Sequence, residues 1–237
     1  NNPIQMAQRY GPIYLFFVAF IVSMVTFTKG LKHIGLGLDY TDSIIYSFIF
    51  GLFITFLGFV FLSRLRNSSI DQIFGILMVF TACVMAFAHG SNDTANAVGP
   101  VAAVFSTVMN EGVSQEAAVS AWLLLGGGVG IVLGLAMWGY RVIQTIGKEI
   151  TKLTPTSGFA AELAAATTVV IASGNAMPIS TTHTLVGAVF GVGLAMSIKD
   201  LDFKVVGKIV ASWLTTVPAG AILSMIFLTI FRYLFQV

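Results

Sequence analysis

Long runs without a charged side chain restrict the fold of this sequence more than any other feature. Six runs contain no Asp, Glu, Lys or Arg: Tyr10–Thr28, Ser43–Ser63, Gln72–Asn92, Ala117–Tyr140, Leu163–Ile198 and Ile209–Phe231. Each reaches the ~18–20 residues that an α-helix needs to cross a hydrocarbon core of about 30 Å. Only 9% of the 237 residues are charged, whereas a soluble domain carries about 25%. The sequence therefore predicts an all-α fold of polytopic transmembrane helices.

The fifth run is much longer than one span and contains helix-breaking residues. Ser173-Gly174-Asn175 and Pro178 favour an interruption within it. The loops on both sides, Arg141–Thr154 and Lys199–Lys208, each carry three Lys or Arg residues and so favour the cytoplasm. The segment between them is expected to enter the membrane and return, as two spans or as a re-entrant hairpin. Because the basic residues lie in short loops, we expect no nucleic-acid partner.

A lone carboxylate follows the third run. Asp93 lies in Gly90-Ser91-Asn92-Asp93-Thr94-Ala95-Asn96, and no other charged residue occurs between Gln72 and Asn110. An aspartate near the bilayer centre costs roughly 2.5–3.5 kcal/mol on insertion scales, so it is expected to meet an ion or a substrate. Asp93, Asn92, Asn96 and Ser91 supply the oxygen ligands that a hard cation prefers. Gly90 and Gly99-Pro100 predict a break in the helix here.

Two other interpretations of Asp93 stay open. Apolar surroundings disfavour the charged form of a carboxylic acid, so Asp93 could instead carry a proton. It could also be a buried aspartate that backbone amides satisfy at a helix break.

A second polar motif follows the interruption in the fifth run. Pro178-Ile179-Ser180-Thr181-Thr182-His183-Thr184 has the composition of a helix start. Unpaired backbone N–H groups and about half a positive charge at a helix N-terminus suit a small oxyanion. The hydroxyls of Ser180, Thr181 and Thr182 add further donors. Alternatively, Ser180 only caps the helix while the threonines bond to the backbone.

Three more ionisable residues accompany these motifs. Glu162 is a second carboxylate expected at membrane depth, unless it is an interfacial residue favoured by the helix dipole. His89 and His183 adjoin the motifs, and we interpret them as supporting hydrogen-bonding side chains rather than ligands.

Many secondary transporters build their sites from paired broken helices. One helix N-terminus faces an anion, and oxygens of the unwound backbone hold a cation.

Both motifs resemble signatures of the inorganic phosphate transporter (PiT, or PHO4-like) family. Gly90–Pro100 is similar to the Gly-Ala/Ser-Asn-Asp signature, with Thr94 where valine is commoner. Pro178–Gly187 is similar to the second signature, and Gly158–Leu163 resembles the segment between them. The resemblance covers roughly Gln72 to the C-terminus. We therefore divide the chain into two spans with their loops, 1–71, and a PiT-like repeat, 72–237.

The resemblance implies secondary active uptake of inorganic phosphate, coupled to sodium or protons, by an inverted-repeat transporter with broken or re-entrant helices. It implies the cytoplasmic membrane of a bacterium, no enzymatic activity and no cofactor beyond the coupling ion. It places Ser180, Thr181, Thr182, Asn96 and Ser91 at phosphate. It places Asp93, Asn92 and Glu162 at the coupling ion, with Asp93 and Asn92 as the ligands if that ion is sodium.

One departure from the family pattern shapes these expectations. Family members carry both signatures twice, whereas each occurs once here. We therefore expect the C-terminal half of a transporter, completed by a missing N-terminal half or by a second copy. Alternatives are a permease for sulfate or another oxyanion, and a non-transporting membrane subunit. An intramembrane hydrolase using Ser180, His183 and Asp93 is disfavoured because Ser180 lacks the strained turn of a nucleophile.

Overall fold

Seven α-helices make up the part of the chain that the structure describes. The computed structural model describes residues 3–27, 38–64, 69–110, 119–175 and 177–235. The helices are α1 (Pro3–Val25), α2 (Tyr40–Arg64), α3 (Ile70–Asn110), α4 (Ala121–Gln144), α5 (Pro155–Gly174), α6 (Thr181–Met196) and α7 (Phe203–Phe235). A π-helical turn, Thr145–Glu149, follows α4, and a 3-10 turn, Ile198–Asp200, precedes α7. The predicted all-α fold is confirmed.

Five of these described helices are long and apolar enough to cross a membrane, namely α2, α3, α4 with its π-helical turn, α5 and α7. The apolar segments Arg9–Met24 in α1 and Thr181–Met196 in α6 are shorter. Large apolar side chains such as Phe56 and Leu214 are exposed, as expected for surfaces that face lipid. The chain is a multi-pass membrane protein. Thr28 and residues 117–118, at the ends of two predicted runs, lie outside the described residues.

The long fifth run folds into two helices, and local capping explains where they start. Pro155 is at the start of α5, where Thr154 and Ser157 form a reciprocal capping box. Ser180 caps α6, its hydroxyl oxygen accepting from the His183 N–H at 3.3 Å. Between the two helices, residue 175 and residues 177–180 are not α-helical. The break predicted at residues 173–178 is therefore confirmed.

The helices α5 and α6 form an antiparallel hairpin. Ala161, near the start of α5, packs in one apolar cluster with Val186 and Val189, which lie two turns or so into α6 and away from the loop that joins the two helices. Beside it, α5 runs parallel to α3, since Ile73 packs with Phe159 near the starts of the two helices and Ala88 packs with Val169 further along. The hairpin tip, which comprises the described residues 175 and 177–180, therefore lies against the middle of α3, and this contact positions the site.

The break predicted at Gly90 and Gly99-Pro100 is wrong, because α3 continues through both positions. Pro100 removes one backbone donor, which membrane helices tolerate. A proline also clashes with the Cβ of the preceding residue, and Gly99 has no Cβ. Asp93 therefore lies on a continuous helix of about 60 Å, and the non-helical backbone beside it belongs to the hairpin tip.

Candidate functional site

The centre of the site is the contact between Asp93 on α3 and Thr181 at the start of α6. The Thr181 hydroxyl lies 3.1 Å from both carboxylate oxygens of Asp93, so it donates one shared hydrogen bond. His89, one turn earlier on α3, places Nε2 at 2.9 Å from Asp93 Oδ2. Thr181 is 3% exposed, whereas the side chain of Asp93 is 33% exposed. The carboxylate is thus anchored on one side and accessible on the other.

Two carboxamides of α3 hold the non-helical tip of the hairpin. The Asn92 amide donates to the Ile179 carbonyl at 2.8 Å and to Asp93 Oδ1 at 3.1 Å. Asn96, one turn further along α3, donates to the same carbonyl at 3.2 Å. On α5, the Ser173 hydroxyl donates to Asn92 Oδ1 at 3.1 Å. Asn92 is buried and bonds to both sides of the tip, which leaves its oxygen one free lone pair.

The hydroxyls at the start of α6 have different roles. The Ser180 oxygen caps the helix, as one interpretation of the motif predicted, although its O–H can still donate. Thr184 donates back to the Ser180 carbonyl at 2.9 Å. Thr182 is exposed and lines a cavity. His183 packs its ring edge-on against Trp213, with centroids 3.9 Å apart, which favours a packing role for this histidine.

Ser91 is the predicted phosphate ligand that the structure does not bring to the site. Its hydroxyl donates to the Ala88 carbonyl at 3.0 Å, within the preceding turn of α3. Each step along a helix rotates the side chain by about 100°, so Asp93 and Ser91 are rotated from Asn92 in opposite directions. Since Asn92, Asp93 and Asn96 face the hairpin, Ser91 faces elsewhere.

Glu162 lies at a different level from Asp93. Its Oε2 accepts from the Thr81 hydroxyl of α3 at 2.8 Å. Glu162 precedes Ser173 by eleven residues, so about 16 Å of helix separates it from the Asn92 level. It lies two turns into α5, beyond the first turn where the helix dipole stabilises a carboxylate. The structure therefore separates the predicted coupling-ion residues into two groups.

A cavity connects the two levels. It has a volume of about 670 Å³, and its polar lining includes Glu162, His89, Thr181 and Thr182. Its other walls are mostly apolar, from α3, α4, α5 and α6. The cavity therefore joins Glu162 to the start of α6, where Thr181 contacts Asp93.

Sequence reasoning missed two hydrogen-bonding groups of the site. The Thr81 hydroxyl bonds to Glu162, and the Ser173 hydroxyl bonds to Asn92. His89, which the sequence indicated as a supporting side chain, contacts Asp93 directly. Helical spacing was the available signal for Thr81, which precedes Asn92 by eleven residues and so lies on the same face of α3. For Ser173 there was none, because its role depends on how α5 aligns with α3.

A helical hairpin whose exposed tip meets a carboxylate-bearing membrane helix is a membrane-transporter architecture. The phosphate transporter family model, PHO4, matches residues 1–224. The chain belongs to the phosphate transporter family. Because the match begins at residue 1, it extends further than Gln72, the limit that the two motifs indicated. The family is one of transporters, not enzymes.

Individual relatives agree with the family assignment. A relative from Haemophilus influenzae, grouped by its name with the phosphate permeases, is 45% identical over 249 aligned residues and covers 100% of this chain. Inorganic phosphate transporter 2-1, chloroplastic, from Arabidopsis thaliana is 55% identical over 67% of this chain and 27% of its own. Sodium-dependent phosphate transporter 1 from Pongo abelii is 48% identical over 70% of this chain and 24% of its own.

A solved structure titled "The sodium-dependent phosphate transporter" superposes with a TM-score of 0.82 at 34% identity, over 92% of this chain. The present chain covers 55% of that structure and 59% of the Haemophilus influenzae relative. It therefore spans less than two thirds of the proteins that it matches.

Proposed function

We propose that this chain supplies one half of a pathway that carries inorganic phosphate across a membrane together with a sodium ion or a proton. The observation that carries the proposal is the Thr181–Asp93 contact. Through it, a helix N-terminus suited to an anion touches a carboxylate suited to a cation.

Phosphate would bind at the start of α6. The first backbone N–H groups of that helix have no intrahelical partner, and the helix dipole favours a negative charge there. Thr182 is exposed at this point, and Asn96 lies beside the same tip. No Lys or Arg occurs between Gln72 and Asn110 or between Leu163 and Ile198. Dipoles and hydroxyls would therefore hold the anion, which suits reversible binding.

The cation would bind at Asp93, and electrostatics would couple it to phosphate. Two like charges 4 Å apart repel by about 4 kcal/mol at an effective dielectric constant of 20. An ionised Asp93 beside Thr181 therefore opposes phosphate until sodium or a proton neutralises it. Sodium would take further oxygens from Asn92 and the Thr181 hydroxyl, whereas a proton needs only Asp93. Glu162, at the other end of the cavity, would serve a second step of ion passage.

The test is uptake of radiolabelled phosphate into proteoliposomes that contain the complete assembled protein, with an imposed sodium or pH gradient. Hydrogen bonds to charged groups contribute roughly 1.5–3 kcal/mol, so Thr181→Val should lower uptake by about tenfold or more. Asp93→Asn should abolish its cation dependence. Thr181→Ser keeps the hydroxyl and should retain uptake. Thr168→Val is the matched control, because that hydroxyl bonds only within α5, to the Ala164 carbonyl.

Full uptake by both Thr181→Val and Asp93→Asn would overturn the proposal. Absence of uptake by the complete assembled protein would instead favour a non-transporting membrane subunit.

A sulfate or other oxyanion permease is the second candidate. Hydroxyl and backbone N–H donors at the start of α6 do not discriminate sharply among tetrahedral oxyanions. We propose phosphate because the relatives are named for it. Strong competition of labelled phosphate uptake by equimolar sulfate would favour the broader specificity.

The full assembly is also part of the proposal. We propose that an N-terminal half, related by an inverted repeat, or a second copy completes the site, and that the protein resides in the cytoplasmic membrane of a bacterium. Support comes from the shorter span relative to the solved structure. Membrane fractionation and crosslinking of the protein in its native cell would test both statements.

A further inference from the structure

A second groove, distant from Asp93, lies between α1, α2 and α3. We name it the α1–α3 groove; its lining includes Leu15, Leu57, Phe61, Arg64, Ile76 and Phe80. Its volume is about 410 Å³, and Arg64 is the one charged residue among those that line it. Ile76 precedes Asp93 by 17 residues, or about 25 Å along α3. The groove is therefore separate from the proposed transport site.

The α2 wall of the groove is a continuous helical stripe. Ile54, Leu57, Phe61 and Arg64 all line it, at spacings of three, four and three residues, which places them on one face of α2. The ten residues from Ile54 to Arg64 correspond to a rise of about 15 Å. That is half of a hydrocarbon core of about 30 Å. The stripe therefore matches the depth of one bilayer leaflet.

The charge at one end of the stripe is positive. Arg64 lies in the last turn of α2, and its side chain is exposed. Among the described residues, no carboxylate lies within 4.0 Å of its guanidinium. Asp71 in the first turn of α3 is not among the residues that line the groove. An arginine at the membrane boundary, above an apolar slot, complements an anionic head group attached to an acyl chain.

We propose that the α1–α3 groove binds an anionic phospholipid, with one acyl chain along Leu57 and Phe61 and the head-group phosphate at Arg64. An apolar cavity at membrane depth does not retain water, so a hydrocarbon chain is its natural occupant. The helix α4 ends at the same membrane face, because Leu123 near its start packs against Ala102 near the end of α3.

The head-group part is tested by reconstituting the chain in nanodiscs of equimolar phosphatidylglycerol and phosphatidylcholine, then counting retained lipids by native mass spectrometry. A basic residue near a charged surface is worth about 1 kcal/mol, so Arg64→Gln should lower the retained phosphatidylglycerol-to-phosphatidylcholine ratio about fivefold. Arg141→Gln is the matched control, because Arg141 lies in the last turn of α4 and outside the groove. Equal retention of both lipids by the unaltered chain would overturn the proposal.

The acyl-chain part is tested by filling the groove. Ile76→Trp should remove retention of both lipids, whereas Val79→Trp, on the same helix but outside the groove, should not. If Ile76→Trp does not fold, Leu57→Trp serves the same purpose, since Leu57 is 46% exposed. Unchanged lipid retention in the folded variant would contradict the proposal. Conversion of a dimer to a monomer by Ile76→Trp would assign the groove to a second copy instead. Phosphate uptake is measured in a separate assay, so failure of the lipid-binding proposal would not count as failure of the transport proposal.

Discussion

At the scale of single residues, the site depends on polar side chains that bond between helices. Thr181, Asn92 and Ser173 each join α3 to the hairpin. A buried polar group that loses its partner costs about 1–3 kcal/mol. Replacing one residue of such a pair should therefore lower stability. Where the remaining residue takes part in transport, the replacement should also reduce transport.

Thr81→Val tests the support of Glu162. Thr81 is 1% exposed, and its hydroxyl donates to Glu162 Oε2. Valine keeps the shape but leaves the carboxylate without this donor, so we expect a stability loss of about 1–3 kcal/mol and reduced phosphate uptake. Thermal unfolding in detergent and the proteoliposome assay measure the two effects. Thr81→Ser should behave as the unaltered chain; equal defects in both variants would contradict the hydrogen-bonding role.

Ser173→Ala tests the clamp on the hairpin tip. Loss of the Ser173 hydroxyl removes the hydrogen bond to Asn92 Oδ1. We therefore expect a destabilisation of about 1 kcal/mol and faster proteolysis near residue 175. Limited proteolysis with mass spectrometry locates the cleavage. Ser63→Ala is the control, because that exposed hydroxyl bonds only to the Val60 carbonyl in its own helix. Identical cleavage of both variants would show that Ser173 does not hold the tip.

At the scale of elements, the site requires α3 to remain helical while the hairpin does not. The α3 helix presents His89, Asn92, Asp93 and Asn96 on one face only if no break intervenes. A neighbouring helix, α4, packs closely against this region through Gly127. A Cβ added there would lie 2.6 Å from Val98 Cγ2 and 3.3 Å from Thr94 Cγ2.

Gly127→Ala should therefore destabilise the packing of α4 on α3. Overpacking costs about 1–3 kcal/mol, whereas alanine in an open helical position gains about 0.5–1 kcal/mol over glycine. The neighbours Gly126 and Gly128 have nothing within 4 Å of an added Cβ, so their alanine variants should be neutral or more stable. Thermal unfolding of the three variants makes the comparison. Gly127→Ala as stable as the other two would show that α3 and α4 do not pack this closely.

At the scale of the whole molecule, large apolar helix surfaces are exposed. From Leu214 to Phe235, every residue of α7 is exposed, and α4 is exposed over most of its length. Lipid, another half or a second copy would each cover such surfaces. The chain matches only 55% of the solved transporter, so we expect an isolated 237-residue chain to hold an incomplete site.

If a second copy completes the site, uptake per mole of protein should rise with protein density in the vesicles, because two chains must meet. Proteoliposomes prepared over a range of protein-to-lipid ratios measure this dependence. Specific uptake that is constant across the range would show that one chain suffices and would contradict the need for a partner.

The sequence by itself determined the helical membrane class, the interruption at residues 173–178 and the motifs at Asp93 and Thr181. These features follow from local chemistry: charge-free length, helix-breaking residues, a capping serine and an isolated carboxylate. The inverted repeat and the boundary at residues 71–72 stay predictions.

Only the tertiary structure decided that α3 is unbroken, that Ser91 faces away, and that Glu162 lies some three turns from Asp93. It also supplied the partners Thr81 and Ser173. These facts depend on the alignment of α5 beside α3 and on the rotation of each helix about its axis. Packing between distant segments sets both quantities, and no local pattern in the chain encodes them.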